Sequence, residues 1–210
     1  ILSSARSSYP LPEHPGFSLT TAPLPVILAS SSPRRRELLE RAGLSFEVQS
    51  RQIDESPHDG ESPLDLATRL ARGKAEAVAR LQPQPSLVLG ADTIVVLGDT
   101  ILGKPSDPQD AIATLQLLSG KQHRVITAFA LTCGPEATVW SVRSVHTDVY
   151  FQTLNQKRIE RYVESGEPMD KAGSYGIQGL GGALVERIEG SYSNVVGLPI
   201  VEVIECIARM

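Results

Sequence analysis

Three consecutive arginines, Arg34 to Arg36, stand where the sequence predicts that a helix begins. The apolar run Leu24 to Leu28 predicts a buried strand, and a serine-rich stretch follows it. Ser32 is a preferred N-cap residue and Pro33 suits the first helical position, so the arginines fall in the first turns of the helix. The helix dipole disfavours positive charge there by roughly 0.3–1 kcal/mol for each exposed side chain. The sequence therefore accepts a local repulsion that a bound anion would relieve.

Free backbone N–H groups, hydroxyls and arginines at one helix N-terminus make an anion-binding site. The alternative is a solvated basic turn capped by serine, and spacing alone does not separate the two. The whole chain carries a formal net charge of −4, with 20 Lys and Arg against 24 Asp and Glu. The arginine cluster is therefore a local feature, as a small anionic ligand requires, and the acidic balance argues against a general nucleic-acid binder.

Two acidic positions offer complementary chemistry. Asp92 follows the apolar strand Leu87–Leu89 and a glycine, at the carboxyl end where open α/β sheets place ligand groups. A lone Asp after a strand also commonly forms a turn. Glu55 lies in the polar loop 51–61, where Asp54 could take its place; the alternative interpretation is that both acids are solvated. One or two carboxylates together with phosphate oxygens suit a hard divalent cation, Mg²⁺ or Mn²⁺.

Other candidates are two lysines and one glutamine. Lys104 lies between a glycine that permits close approach and a proline that restricts it to extended geometry. Lys74, taken alone, has the character of an ordinary solvated helix lysine. Gln178 is surrounded by glycines, which suits a backbone lying close to a ligand, although a flexible loop with a solvent-facing side chain is the alternative.

The stretch that begins at Ala29 resembles the opening motif of the Maf family of nucleoside triphosphate pyrophosphatases. The resemblance covers about Val26 to Met210, and the combination and order of its motifs are highly specific. The further matches, in the family's order, are Ala71-Arg72-Gly73-Lys74, Gly90-Ala91-Asp92-Thr93, Gly103-Lys104-Pro105, Asp170-Lys171-Ala172-Gly173, Gly176-Ile177-Gln178-Gly179-Leu180-Gly181-Gly182 and Asn194-Val195-Val196-Gly197-Leu198-Pro199.

The resemblance implies a role for each candidate residue. Asp92 matches the family's proposed general base or metal-binding carboxylate, and Glu55 matches its loop carboxylate, so both are expected metal ligands. Asp92, Lys104 and Arg34 are the expected catalytic residues. Arg36 matches a variable position and is expected to be surface charge. The residues expected to bind substrate are Ser32, Arg34, Arg35, Lys74, Thr93, Lys104 and Gln178.

The activity that the resemblance implies is hydrolysis of dTTP and UTP, and by extension of modified pyrimidine nucleotides, to the monophosphate and pyrophosphate. Family members that prefer 7-methyl-GTP carry an acid where this chain has Gln178. An amide both donates and accepts, as the pairing edge of uracil requires. The alternatives are a 7-methyl-GTP pyrophosphatase and a nucleotide-binding regulator of cell division and septum formation. A regulator without activity is expected to lose Asp92 and Glu55, and this chain retains both.

The elements that must position these residues include both helices and strands, which are distinguished by the spacing of their apolar residues. Helices are predicted from Pro33 to about Ala42, from Ser62-Pro63 to about Leu81, from Asp107-Pro108 to Gly120, over Asn155–Ser165 and from Pro199. Strands are predicted at Leu24–Ser30, Ser45–Ser50 (half-buried), Leu87–Leu89 and Ala183–Ile188, with hairpins at Ile94–Leu102 and Arg124–Phe151 and a glycine-rich loop over 167–182. This pattern predicts an α/β fold with a mixed sheet. The resemblance implies an elongated two-lobed fold with a central cleft, similar to inosine triphosphatases.

Composition sets the remaining expectations. Residues 1–23 are rich in Ser, Pro and Thr and are expected to be a flexible extension, with residues 24–210 forming the Maf-like domain. No apolar run approaches a membrane span, and Cys133 and Cys206 are expected to be reduced, buried thiols, so we expect a cytoplasmic protein without a membrane or nucleic-acid partner. The four histidines are scattered and predict no metal cluster. A homodimer is implied only by the resemblance.

Overall fold

One mixed sheet of seven strands organises residues 22–210, the part of the chain that the structure, a computed structural model, describes. The predicted flexible extension falls mainly on residues 1–21, outside the described residues. The strands are β1 Val26–Leu28, β2 Glu47–Val48, β3 Leu87–Leu97, β4 Thr100–Leu102, β5 Gln122–Cys133, β6 Thr138–Phe151 and β7 Val185–Glu189. Their order is β2-β1-β3-β5-β6-β7, with β4 also paired to β3. β1 is parallel to β2 and β3, whereas the other pairs are antiparallel, which confirms the predicted mixed sheet.

Six helices lie on this sheet within the described residues, and their termini follow the sequence signals. They are α1 Pro33–Arg41, α2 Pro63–Ala79, α3 Pro108–Leu118, α4 Gln156–Glu164, α5 Tyr192–Val196 and α6 Ile200–Ala208. Asp107 caps α3 by accepting from the backbone N–H groups of Gln109 and Asp110, and Asn155 caps α4 by accepting from the backbone N–H of Arg158. The predicted helices are confirmed to within two residues, and α5 is a helix that the sequence did not predict.

The hydrophobic core is divided along the sheet. Helices α1 and α6 pack with the first half of β3 around Leu39, Leu89 and Phe129. Helices α3 and α4 pack around Leu115 and Phe151, together with the far end of β3. The two-lobed arrangement is therefore confirmed, and β3 runs through both lobes. Helix α2 covers the other face of β3 through small and aliphatic side chains.

Three local predictions were wrong. The strand predicted over 45–50 contains only two paired residues, and Val48 is not half-buried but 47% exposed, because β2 lies at the edge of the sheet. Residues 167–182 are not a plain loop, because the segment contains three short 3₁₀ turns, Glu167–Asp170, Ala172–Ser174 and Leu180–Leu184. Of the two free cysteines, Cys206 is buried as expected but Cys133 is only half-buried.

Candidate active site

A cleft of about 940 Å³ lies between the two lobes. Its walls come from α1 and the serine-rich stretch before it, from α2, β3 and the segment after β4, and from the 3₁₀ segment between α4 and β7. All nine candidate residues line it: Ser32, Arg34, Arg35, Glu55, Lys74, Asp92, Thr93, Lys104 and Gln178. Residues separated by as many as 146 positions in the sequence thus share one site, whereas their individual roles stay predictions.

Two carboxylates and one ammonium group form the charged centre of the cleft. The Nζ of Lys74 donates to Asp92 Oδ1 over 2.6 Å and lies 2.8 Å from Glu55 Oε1. The Lys74 side chain is only 15% exposed, so it is not the solvated helix lysine that its sequence context suggested. Of the two loop acids, Glu55 enters the cleft, whereas Asp54 is exposed and accepts a hydrogen bond from the backbone N–H of Ser56.

Asp92 does not lie at the end of a strand, as the sequence predicted. Strand β3 continues to Leu97, and its antiparallel ladder with β5 runs unbroken from Leu87 to Val96. The apparent stop signal, Gly90, has a packing role, because a Cβ there would lie 2.6 Å from the backbone N of Ala75 and would also meet the carbonyl oxygen of Ala71. Gly90 therefore lets α2, which carries Lys74, approach the strand that carries Asp92.

Arg35 is a half-buried member of the cleft wall that binds other protein groups. Its guanidinium donates to the carbonyl of Gly197 over 2.8 Å and to Ser30 Oγ and Thr93 Oγ1 over 3.1 Å each. Burial lowers the pKa of Arg35 from its ordinary value, although the charge of Asp92 opposes the shift. Thr93 Oγ1 also lies 3.0 Å from Thr127 Oγ1. Arg35 thus fixes Thr93 and the serine-rich stretch, and its guanidinium also borders the cleft.

Arg34 spans the cleft to the second lobe. Its Nη1 lies 3.1 Å from Asp170 Oδ2, and Asp170 Oδ1 accepts a hydrogen bond from Lys171 Nζ over 2.6 Å. Asp170 is 63% exposed, so the Arg34 side chain is held by a pair that solvent screens. Arg36 is exposed and pairs with Glu40 on its own helix, in agreement with its expected surface position.

Ser32 occupies the N-cap position of α1, but its side chain makes no capping hydrogen bond. The backbone N–H of Ser32 instead donates to Ser30 Oγ over 3.2 Å. The prediction that the Ser32 side chain caps α1 was therefore wrong. The serine-rich stretch is held instead by Ser30 Oγ, which accepts hydrogen bonds from Ser32 and Arg35. The Ser32 side chain borders the cleft at the helix N-terminus.

Lys104 and Gln178 approach the cleft from the second lobe. Lys104 is exposed, and its side chain has no ion pair or hydrogen bond with any residue in the described range 22–210. Gln178 is half-buried, and its Nε2 lies 3.5 Å from Glu37 Oε2 on α1. Lys104, which pairs with no side chain of residues 22–210, and the weakly bound amide of Gln178 are both available to a ligand.

The donor set bears on the expected divalent cation. Glu55 and Asp92 both present oxygens to one point, now filled by the Lys74 ammonium, and carboxylate oxygens are the ligands of Mg²⁺ and Mn²⁺. Within residues 22–210 no group of three or more His, Cys, Asp or Glu side chains could hold a metal ion. The protein groups therefore fit a cation that takes its remaining ligands from phosphate oxygens and water.

Asp170, Lys171 and Tyr175 are among the residues of the cleft wall to which sequence reasoning gave no role. Asp170 and Lys171 belong to a motif that carried the family resemblance, which was the available signal. Tyr175 is buried, and its hydroxyl lies 2.8 Å from Nε2 of His123, a buried histidine whose pKa burial lowers to about 4. Nothing in the spacing of the sequence predicts that these aromatic side chains meet.

The chain belongs to the family of Maf-like proteins, whose family model matches residues 25–210. Its relatives include a dTTP/UTP pyrophosphatase of Shewanella sp. (strain MR-7), 54% identical over 192 residues that cover 88% of this chain and 97% of the relative. Proteins of the same name from Desulfotalea psychrophila and Geobacter sulfurreducens are 50% and 49% identical, covering 86% and 88% of this chain and 92% and 96% of theirs.

The fold also resembles that of a solved structure, a HAM1 protein from Coxiella burnetii. The two share 16% identity with a TM-score of 0.50, and the match covers 89% of this chain and all of the other. This likeness bears on the fold alone and confirms the predicted fold class. No helix within residues 22–210 has both the length and the apolar character needed to cross a membrane.

Proposed function

We propose that this protein hydrolyses dTTP and UTP to the nucleoside monophosphate and pyrophosphate. The observation that carries the proposal is the cleft in which Asp92 and Glu55 share one ammonium partner, between a basic helix N-terminus and Lys104. Relatives about 50% identical over most of the chain bear the name dTTP/UTP pyrophosphatase, which supports the same substrates here.

Asp92 is the proposed general base. It is buried on a sheet strand, and one of its oxygens is fixed by Lys74, so its second oxygen is available to orient and deprotonate a water molecule. That water attacks the α-phosphorus, the α–β bridging bond breaks, and pyrophosphate leaves with the electron pair. A buried carboxylate held by a hydrogen bond is oriented before the substrate arrives, which lowers the cost of reaching the transition state.

The cations provide the binding and the charge stabilisation. Arg34 and Lys104 approach from opposite lobes, and the N–H groups at the start of α1 face the same cleft. We infer that these groups bind the phosphates and offset the charge that develops on the leaving pyrophosphate. Arg35, whose guanidinium already has three partners, fixes Thr93 beside the nucleotide.

Glu55 and Asp92 would hold the divalent cation, Mg²⁺ or Mn²⁺. When bound, the cation supplies positive charge that offsets the phosphates. Lys74, which contacts both carboxylates, would help to hold them for the cation and would supply a positive charge beside the phosphates. The position of the Lys74 ammonium, in contact with both carboxylates, thus supports the predicted phosphate contact.

The test is a panel of nucleoside triphosphates, 7-methyl-GTP included, assayed with Mg²⁺ or Mn²⁺ and with both pyrophosphate and orthophosphate measured. We expect pyrophosphate from dTTP and UTP, and in ¹⁸O-labelled water we expect the label in the monophosphate, because the α-phosphorus is attacked. Orthophosphate as the first product would contradict the mechanism. Preference for 7-methyl-GTP would favour a 7-methyl-GTP pyrophosphatase. Nucleotide binding without turnover would favour a nucleotide-binding regulator of cell division and septum formation.

We also propose that the protein forms a homodimer and is cytoplasmic. We propose further that it binds neither nucleic acid nor membranes, and that its Maf-like domain begins at residue 24. Size-exclusion chromatography with light scattering tests the dimer. A mass that stays that of one chain across concentrations would contradict it.

A further inference from the structure

The carboxylate of Glu167 binds the far end of the glycine-rich loop, defined here as residues 176–182. Glu167 Oε1 accepts a hydrogen bond from the backbone N–H of Gly181 over 2.9 Å, and Oε2 accepts one from Leu180 over 2.8 Å. Glu167 lies outside the cleft wall, so these bonds have no direct part in binding a ligand. Their target is the backbone of the segment that carries Gln178.

The hydroxyl of Tyr162 binds the near end of the same loop. It donates to Glu167 Oε1 over 2.9 Å and accepts from the backbone N–H of Gly176 over 3.1 Å. Tyr162 is buried on α4, so the hydroxyl is held in place by the core of the second lobe. One carboxylate and one hydroxyl therefore fix both ends of the loop.

Between these ends the loop makes a tight turn. The N–H of Gly179 donates to the carbonyl of Gly176 over 3.2 Å, which leaves Ile177 and Gln178 as the two central residues. Ile177 packs against the cores of both lobes. The direction of the Gln178 side chain is therefore set by the turn, and the turn is set by its two ends.

The glycines of the loop make room for this arrangement. A Cβ at Gly179 would lie 2.7 Å from Cδ of Glu167, and a Cβ at Gly181 would lie 2.6 Å from the hydroxyl oxygen of Tyr162. Burial raises the pKa of Glu167, but the hydrogen bonds from Gly181, Leu180 and Tyr162 and the charge of Lys171 together outweigh burial, so the pKa lies below its ordinary value. Glu167 is thus an ionised acceptor at neutral pH, as three donors require.

We propose that Glu167 and Tyr162 form a clamp that holds the turn at Gln178 in the orientation that discriminates the nucleotide base. Glu167 is a positioning residue that acts through Gln178, and the proposal rests on the pyrimidine nucleotides of the proposed function. Without the clamp, the amide of Gln178 samples several directions, and selectivity among bases falls while the charged centre at Asp92 is unchanged.

The test compares Glu167→Gln and Tyr162→Phe with Glu164→Gln, a matched control on the exposed side of α4. An amide at position 167 must turn its NH₂ group towards either Gly181 or Leu180, so one backbone N–H loses its acceptor. Tyr162→Phe keeps the buried ring and removes only the hydroxyl. In the free protein we expect amide hydrogen exchange over 176–182 to be faster than in the wild type in both variants. In the control we expect the wild-type exchange rate.

The functional arm measures kcat/KM for UTP relative to CTP. We expect the ratio to fall about tenfold in both variants, chiefly through KM for UTP, and to be unchanged in Glu164→Gln. The same changes are then made in a Gln178→Ala background, where we expect no further fall, because a residue that acts through Gln178 has nothing left to position.

An equal fall in the Gln178→Ala background would overturn the proposal, as would faster exchange in the loop with an unchanged ratio. If the wild-type protein turns over neither UTP nor dTTP, the proposed function fails. The clamp is then tested with whichever pair of nucleotides the wild type does discriminate, and the same two outcomes decide it.

Discussion

The two ends of the cleft are built in different ways. At the charged end, Lys74 contacts both Asp92 and Glu55, and the positions of Lys74 and Asp92 come from the packing of α2 against β3. At the other end, Gln178 is weakly bound, and its position comes from backbone N–H groups bound to Glu167 and Tyr162. Asp92 and Lys74 are thus placed on a strand and a helix, whereas Gln178 is placed on a loop with fixed ends.

This difference predicts how each end responds to substitution. At the charged end, removal of one charge should cost most of the turnover without changing which base is preferred. At the loop end, a change should alter base preference with little effect on the chemical step. The variants below separate the two ends, beginning with the largest expected effect.

Asp92→Asn should lower kcat on dTTP and UTP by about 10²–10⁴-fold, because an amide does not accept the proton of the attacking water. The amide retains the size of the side chain, so the protein should remain folded. Steady-state kinetics and circular dichroism measure the two effects. Asp99→Asn, at the exposed turn between β3 and β4, is the control that should retain turnover. Wild-type turnover in Asp92→Asn would reduce Asp92 to a structural partner of Lys74.

Lys104→Ala should lower kcat/KM by about 10–100-fold, the loss expected for one charge-assisted hydrogen bond to phosphate. Base preference should be unchanged, since Lys104 is proposed to contact the phosphates and not the base. Relative kcat/KM for UTP and dTTP measures both quantities. Lys157→Ala, an exposed lysine on α4, is the matched control. A loss in Lys157→Ala of the same size would point to general electrostatic attraction instead of a local contact.

Gln178→Glu should lower selectivity for UTP by about tenfold, because a carboxylate faces a carbonyl oxygen of uracil where the amide donates a hydrogen bond. Gain of activity on 7-methyl-GTP, whose adjacent N1–H and amine suit a carboxylate, also requires room for a larger ring. The assay is kcat/KM for UTP, dTTP, CTP and 7-methyl-GTP, with the exposed Gln109→Glu as control. An unchanged ranking would show that Gln178 does not discriminate the base.

Arg34→Ala should change the free energy of unfolding by less than about 1 kcal/mol, because its pair with Asp170 is screened by solvent. Loss of that pair is offset by relief of the repulsion between Arg34 and the helix dipole. Denaturant melts of the free protein measure the change, and Arg36→Ala is the matched control in the same helical turn. A loss of several kcal/mol confined to Arg34→Ala would assign it a structural role that the geometry does not suggest.

The elements could be predicted from the sequence because their signals are local. Pro33, Asp107 and Asn155 begin helices where their side chains or ring geometry favour it, and Gly98 makes the turn between β3 and β4. Gly90 misled the prediction because the same residue type marks both a strand end and a close approach, and only the position of α2 distinguishes them.

The candidate site was predictable in its members but not in its contacts. Resemblance to the family's motifs was enough to identify the nine cleft residues. The sequence pattern does not show that Lys74 contacts both Asp92 and Glu55. The clamp was missed for a related reason. Glu167 accepts hydrogen bonds from the backbone N–H groups of Leu180 and Gly181, up to 14 positions away, and a contact with backbone groups leaves no side-chain signal in the sequence.

Gly90 gives the charged end an indirect vulnerability. The distance between the Lys74 ammonium and the Asp92 carboxylate depends on how closely α2 packs on β3. Any side chain at Gly90 would force Ala75 and its helix away from β3 and would change that distance. In a survey of all single substitutions, position 90 would therefore score as a catalytic position although it has no functional group. Intolerance to substitution at this site reports the distance between two backbones as much as it reports chemistry.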